Sequence, residues 1–79
     1  VARVLLFGRL GDIAGWRERN IEADGLDALR LSLDETDSRL AEALRAPGVQ
    51  AAVDRQLVRG DIALSPNAEV AFMPPMSGG

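Results

Sequence analysis

Helical periodicity is confined to one interval of this 79-residue chain, and that confinement bounds the fold more tightly than any other feature. After Gly25, Leu26, Leu29 and Leu33 recur at spacings of three and four, while Asp27, Arg30 and Asp34 are free to face water. Asp34 to Ser38 is polar enough to break the helix, a single helix through Thr36 being the alternative. The segment DSRLAEALRA restarts the period, with Leu40, Ala43 and Leu44 on one side and Asp37 or Ser38 as cap. Pro47 and Gly48 end it. One helical layer can cover one face of one sheet, and a chain of this length has room for little else.

Strand-like segments flank the helical interval on both sides. Arg3 to Phe7 is a short apolar run in which Val4 and Leu6 share one face and Leu5 and Phe7 the other. Both faces are apolar, so neither is marked as the wet one. Gly8 to Gly15 is a loop or a short helical turn, pinned to the core by Ile13 and secondarily by Leu10. Trp16 to Ala23 is a largely polar strand, expected at an edge and arranged as a hairpin with the first. VQAAVDRQLV holds two strand fragments joined at Asp54-Arg55, and Gly60-Asp61 precedes a short strand, IAL. Ser65-Pro66-Asn67 is a turn in which Asn67 tolerates a left-handed backbone. The last strand, AEVAFM, sets Val70 and Phe72 on one face, Ala71 and Met73 on the other. The expected class is α+β: a mixed sheet of four to five strands on one main helix, with a short second helix. Residues 1–73 form the domain and 74–79 a flexible C-terminal tail.

Val4, Leu6, Ile21, Leu29, Leu33, Leu44, Val70 and Phe72 are the candidate core. Phe7 and Met73 then point away from the helices. If the first and last strands are neighbours, these two form an apolar patch at the root of the tail. Loops or the Trp16 region either cover that patch or leave it as a docking surface, and the tail favours docking.

Composition removes several chemistries. The chain has no Cys and no His, which excludes disulfides, thiolate chemistry and the common zinc sites. A net charge of -3 with interspersed signs provides no footprint for nucleic acid or anionic lipid. No apolar stretch approaches membrane-spanning length and no export leader is evident, so the expected location is cytoplasmic. All nine basic residues are Arg, so no side chain can receive an isopeptide bond. Phosphate-binding glycine motifs and nucleophile-histidine pairs are absent. Asp54 and Asp61 occupy turn-like positions, suited to bonding backbone N–H groups. Arg9 is expected to be solvated rather than paired.

The tail remains. Pro74 and Pro75 fix φ and remove two N–H donors, which makes a stiff extended stem. Met76 and Ser77 follow, and then Gly78 and Gly79, whose lack of Cβ suits a narrow slot in another protein. The reactive group would be the Gly79 carboxylate, inert until activated by attack on the α-phosphate of ATP. Sulfide or a persulfide could then open the acyl-adenylate.

EVAFMPPMSGG, Glu69 to Gly79, resembles the closing segment of the small subunits of molybdopterin synthases, sulfur carriers of the ubiquitin-like β-grasp fold. RVLLFGRLGDIAG, Arg3 to Gly15, and AAVDRQLV, Ala51 to Val58, resemble that family as well. The resemblance covers essentially the whole chain, the helical region matching mainly in apolar pattern. It implies that Gly79 is adenylated by a ubiquitin-activating-like adenylyltransferase, which uses ATP, and becomes a thiocarboxylate. Gly78 would thread the channel beside it. The tail, Pro74 to Ser77 included, would insert into the large catalytic subunit and donate sulfur to cyclic pyranopterin monophosphate, forming the molybdopterin dithiolene. The implied assembly is a heterotetramer of two large and two small subunits. Phe7, Leu57 and Met73 match the family's apolar contact with both partners; alternation alone singles out Phe7 and Met73 but not Leu57. No bound cofactor and no active site of its own are implied.

Met73 departs from the family, where an aromatic is frequent, and Ser65-Pro66-Asn67 replaces an Asp-Gly type of turn. Neither touches the tail. Two rival readings keep the fold: a sulfur carrier for thiazole, thiolated tRNA or cysteine, and a ubiquitin-like interaction module whose tail does nothing.

Overall fold

The first and last strands, β1 (Ala2–Leu6) and β5 (Glu69–Met73), run parallel and side by side in a computed structural model that describes residues 1–75. Around them the sheet has the order β2-β1-β5-β3-β4, completed by β2 (Glu18–Ile21), β3 (Gln50–Val53) and β4 (Gln56–Val58). The β1–β5 pair is the parallel one; β2 joins β1, β3 joins β5 and β4 joins β3 antiparallel. This is the β-grasp arrangement, a mixed sheet with helices packed on one face.

Register explains the core. Val4 lies opposite Val70, which lies opposite Val53; Leu6 lies opposite Phe72, which lies opposite Ala51. All six are buried, with Val4, Val70 and Phe72 fully so. Onto these rows pack Leu26, Leu29 and Leu33 of α2 (Leu26–Thr36) and Leu40 and Leu44 of α3 (Ser38–Leu44). Each large aliphatic side chain so buried contributes about 1.5–3 kcal/mol. Arg30 lays its guanidinium 5.2 Å from the Phe72 ring centroid.

The helices begin and end for identifiable reasons. Asp37 stands extended (φ -153°, ψ 90°), which interrupts the helical path, and its Oδ1 accepts from Leu40 N at 3.1 Å to cap α3. Gly25 precedes α2 and has no side chain with which to cap it. That office falls to Asp61, distant in sequence: its Oδ1 accepts from Asp27 N at 2.9 Å and from Ile62 N at 3.0 Å. Asp54 plays the turn role expected of it, its Oδ1 accepting from Glu69 N at 3.0 Å.

Several local expectations are corrected. The strand expected over Arg3–Phe7 begins and ends one residue earlier, and the one expected over Trp16–Ala23 shortens to four residues. The two do pair antiparallel as expected, with α1 (Arg9–Ala14) forming the connection between them. On α1 it is Leu10 that is fully buried, while Ile13 is half-buried. On α3 the buried stripe is Leu40, Ala41 and Leu44, with Ala43 only half-buried. Wedged between α1 and α2, α3 turns its apolar face by one position. The short strand expected at 62–64 is a single bridge between Ala63 and Gly25. Asn67 is not left-handed: the turn closes by Ala68 N to Ser65 O at 3.1 Å, with Pro66 supplying the preset φ. The left-handed demand falls instead on Asp54 (φ 49°) and Arg55 (φ 70°), the two-residue hairpin between β3 and β4.

Candidate functional site

The face of the sheet turned away from the helices carries two apolar rows. Leu5 is opposite Ala71, Ala71 opposite Ala52, and Ala52 opposite Leu57, so one line crosses β1, β5, β3 and β4. With strands about 4.8 Å apart, that line is roughly 14 Å long. Beside it lies a second row. Phe7, one residue past β1, donates its N–H to Phe72 O at 3.1 Å and so keeps to the β5 register next to Met73, which faces Gln50. Phe7 is 49% exposed and Leu57 63%, whereas Leu5, Ala71 and Met73 are half-buried and Ala52 is buried among them.

Phe7, Leu57 and Met73 therefore share one face. Trp16 does not cover it: the indole packs against the core cluster beside Leu33 and Leu40, with Arg19 4.7 Å over its ring. Leu5 and Ala71 belong to the same surface. Alternation had set them on this face without giving them a role, and Leu57 needed the β3–β4 register to join them.

A charged row closes the face at the end away from the tail. Arg3 binds Glu18 through two nitrogens, at 2.8 and 3.2 Å, and approaches Glu69 at 3.8 Å. The hydrogen bond that Arg3 donates to Glu18, and then the charge of Glu18, raise the Arg3 pKa above its usual range, against desolvation, and Glu69 adds to the rise. The face is thus polarised: ion pairs at one end, aromatic and thioether at the other. Arg9, at the start of α1, makes no ion pair among the described residues.

At the apolar end the chain runs into its stem. Pro74 is half-buried and Pro75 exposed. Met76, Ser77, Gly78 and Gly79, four of the residues singled out from the sequence, lie outside the described residues. Among the described residues no group of Asp and Glu is arranged to hold a metal ion, and no buried side-chain polar atom lacks a partner. Hollows lie between α2 and α3, between β2 and α2, and between α1 and α3. No helix among the described residues is long and apolar enough to cross a membrane.

Comparison with known proteins agrees with this geometry. The ThiS family matches residues 4–79. The molybdopterin synthase sulfur carrier subunit of Escherichia coli (strain K12) is 35% identical over 79 residues, covering 98% of each chain. Among solved structures, the small archaeal modifier protein 1 of Methanosarcina acetivorans superposes with a TM-score of 0.80 at 20% identity, covering 99% of this chain and 95% of that one. The protein of the same name from Haloferax volcanii gives 0.67 at 22% identity, covering 99% and 98%. These two likenesses concern the fold, whereas the family match and the bacterial relative concern descent. The chain belongs to the ThiS family of ubiquitin-like β-grasp sulfur carriers.

Proposed function

We propose that this protein is the sulfur-carrying small subunit of a molybdopterin synthase. The observation that carries the reading is the continuity of the open apolar face with the diproline stem, in a chain 35% identical over nearly its whole length to such a subunit. The carboxylate of Gly79 attacks the α-phosphorus of ATP in an adenylyltransferase, releasing pyrophosphate and leaving a mixed anhydride. Sulfide displaces AMP to leave a thiocarboxylate. In the large catalytic subunit this softer nucleophile delivers sulfur to cyclic pyranopterin monophosphate, and water returns the glycine to its carboxylate.

The division of labour follows from the side chains present. Phe7, Leu57 and Met73 supply apolar area to both partners, while Pro74 to Ser77 lead Gly78 and Gly79 into the cleft. Cations and general acids for the transfer come from the partner, since apolar residues dominate this end of the face.

Intact mass of the protein from its native cells tests the reading. Oxygen exchanged for sulfur, placed on Gly79 by fragmentation to separate it from oxidation of Met73 or Met76, is the expected result. Co-purification with a molybdopterin synthase large subunit separates this pathway from thiazole, tRNA-thiolation or cysteine carriers. Capture of one of those acceptor enzymes instead would overturn the pathway while keeping the chemistry at Gly79.

A further inference from the structure

The stem continues β5 into the gap between two glycines. Carrying the β1–β5 register on by two residues from Leu6 and Phe72 brings Gly8 opposite Pro74. Carrying the antiparallel β3–β5 register on by two from Gln50 and Met73 brings Gly48 opposite Pro75. Packing agrees with this extrapolation. A Cβ on Gly8 would stand 3.0 Å from Pro74 Cγ, and a Cβ on Gly48 would stand 2.6 Å from Pro75 Cβ, closer than two carbons can approach.

Prolines cannot donate to a ladder, so hydrogen bonding between neighbouring strands ends where the stem begins. Contact between the two rings and bare backbone takes its place. Both glycines also have positive φ, +57° for Gly8 and +86° for Gly48, but that demand alone does not account for them. Gly15 (φ +83°) and Gly60 (φ +75°) also have positive φ and nothing within 4 Å of a Cβ position. Among the described glycines, only Gly8 and Gly48 combine positive φ with a proline ring lying against them.

We propose that Gly8 and Gly48 form a two-sided seat for Pro74 and Pro75, and so act as positioning residues that anchor the root of the tail against the sheet. This rests on the reading of Gly79 as the activated group. Anchored at Pro75, Gly79 lies four residues on, within about 14 Å at full extension; released back to Met73, it reaches about 21 Å and explores a roughly three-fold larger volume. A docked carrier with a seated stem therefore presents its terminal carboxylate to the partner at higher local concentration.

The test compares four variants of the full chain: Gly8→Asn and Gly48→Asn at the seat, Gly15→Asn and Gly60→Asn elsewhere. All four place a Cβ at a positive-φ site and only the first two push on a proline; Gly8, at φ +57° and ψ -137°, lies outside the left-handed region that Asn tolerates, so Gly48→Asn against Gly60→Asn is the deciding comparison. ATP–pyrophosphate exchange by the cognate adenylyltransferase gives kcat and KM, and NMR reports contacts between Gly48 Hα and the Pro75 ring. The expected result is a fall in kcat of roughly three-fold for Gly48→Asn, a smaller one for Gly8→Asn, and unchanged KM because the docking face is intact. Gly15→Asn and Gly60→Asn should match the parent. Equal kcat for Gly48→Asn and Gly60→Asn, or no Gly48–Pro75 contact in the parent, would overturn the seat. Should Gly48→Asn fail to fold, Pro75→Ala removes the ring with both glycines in place and is expected to lower kcat in the same way; unchanged kcat would overturn the seat. A parent chain inert in the exchange would sink the functional reading instead, and the NMR contact alone would then decide the seat.

Discussion

The amide of Phe7 donates to the carbonyl of Phe72 at 3.1 Å, yet the two phenylalanines have opposite fates: Phe72 is fully buried and Phe7 half exposed. Strand alternation separates them. One ring closes the core beneath Arg30, and the other stands on the open face beside Met73. The pair makes a clean experiment, because equal chemistry is spent on stability in one place and left available for association in the other.

Phe72→Ala should cost about 3–5 kcal/mol of folding stability in denaturant titrations, the usual range for an aromatic removed from a packed core. Phe7→Ala should leave stability within about 0.5 kcal/mol. It should weaken association with the large subunit by about 1–3 kcal/mol, read by calorimetry, if Phe7 is an anchor of the interface. Unchanged affinity with the fold preserved would remove Phe7 from that role.

Leu57 and Leu31 are matched in exposure, at 63% and 60%, but stand on opposite sides of the molecule. Leu57 ends the apolar row of the sheet, and Leu31 lies on α2 in the groove toward α3. Leu57→Asp should lower affinity for the adenylyltransferase and the large subunit by at least about ten-fold, equivalent to 1.4 kcal/mol. Leu31→Asp should lower neither. Equal losses would mean that the open face is not the docking surface.

Asp61 stabilises a helix to which it does not belong. Asp61→Ala frees the Asp27 amide at the start of α2, and should cost about 0.5–2 kcal/mol. Asp37→Ala, which uncaps α3, should cost a similar amount by the same mechanism. Thermal and chemical denaturation of the two variants checks both. A neutral Asp61→Ala would mean that water caps α2 equally well.

Deleting Gly79 should leave the melting curve of the domain unchanged and abolish both adenylation and sulfur transfer, since the proposed function puts the reacting carboxylate on that glycine. Mass spectrometry of the reaction with ATP and the adenylyltransferase reads the outcome directly. Normal turnover by the truncated chain would contradict the assignment of Gly79.

Much of this arrangement is legible residue by residue. The period of Leu26, Leu29 and Leu33 marks the main helix, and Val4, Leu6, Val70 and Phe72, grouped by alternation and put forward as core, are buried. Phe7 and Met73 are set on the far face by the same rule. The errors fall where local pattern is weak. Leu10 and Ile13 are both aliphatic and close together, so only the packing of α1 against α3 chooses between them. Asn67 is a good left-handed residue in a turn that does not require one.

Side-chain period is a local property, dictated by φ and ψ, and the sequence by itself therefore determined which residues face together within each strand and helix. Register between strands is not local: it depends on long-range pairing that loops and packing must jointly settle. Tertiary structure alone decided that Leu57 completes the row begun by Leu5, and that a carboxylate 34 residues away caps α2. It also brought Gly8 and Gly48, far apart in the chain, to either side of the two prolines.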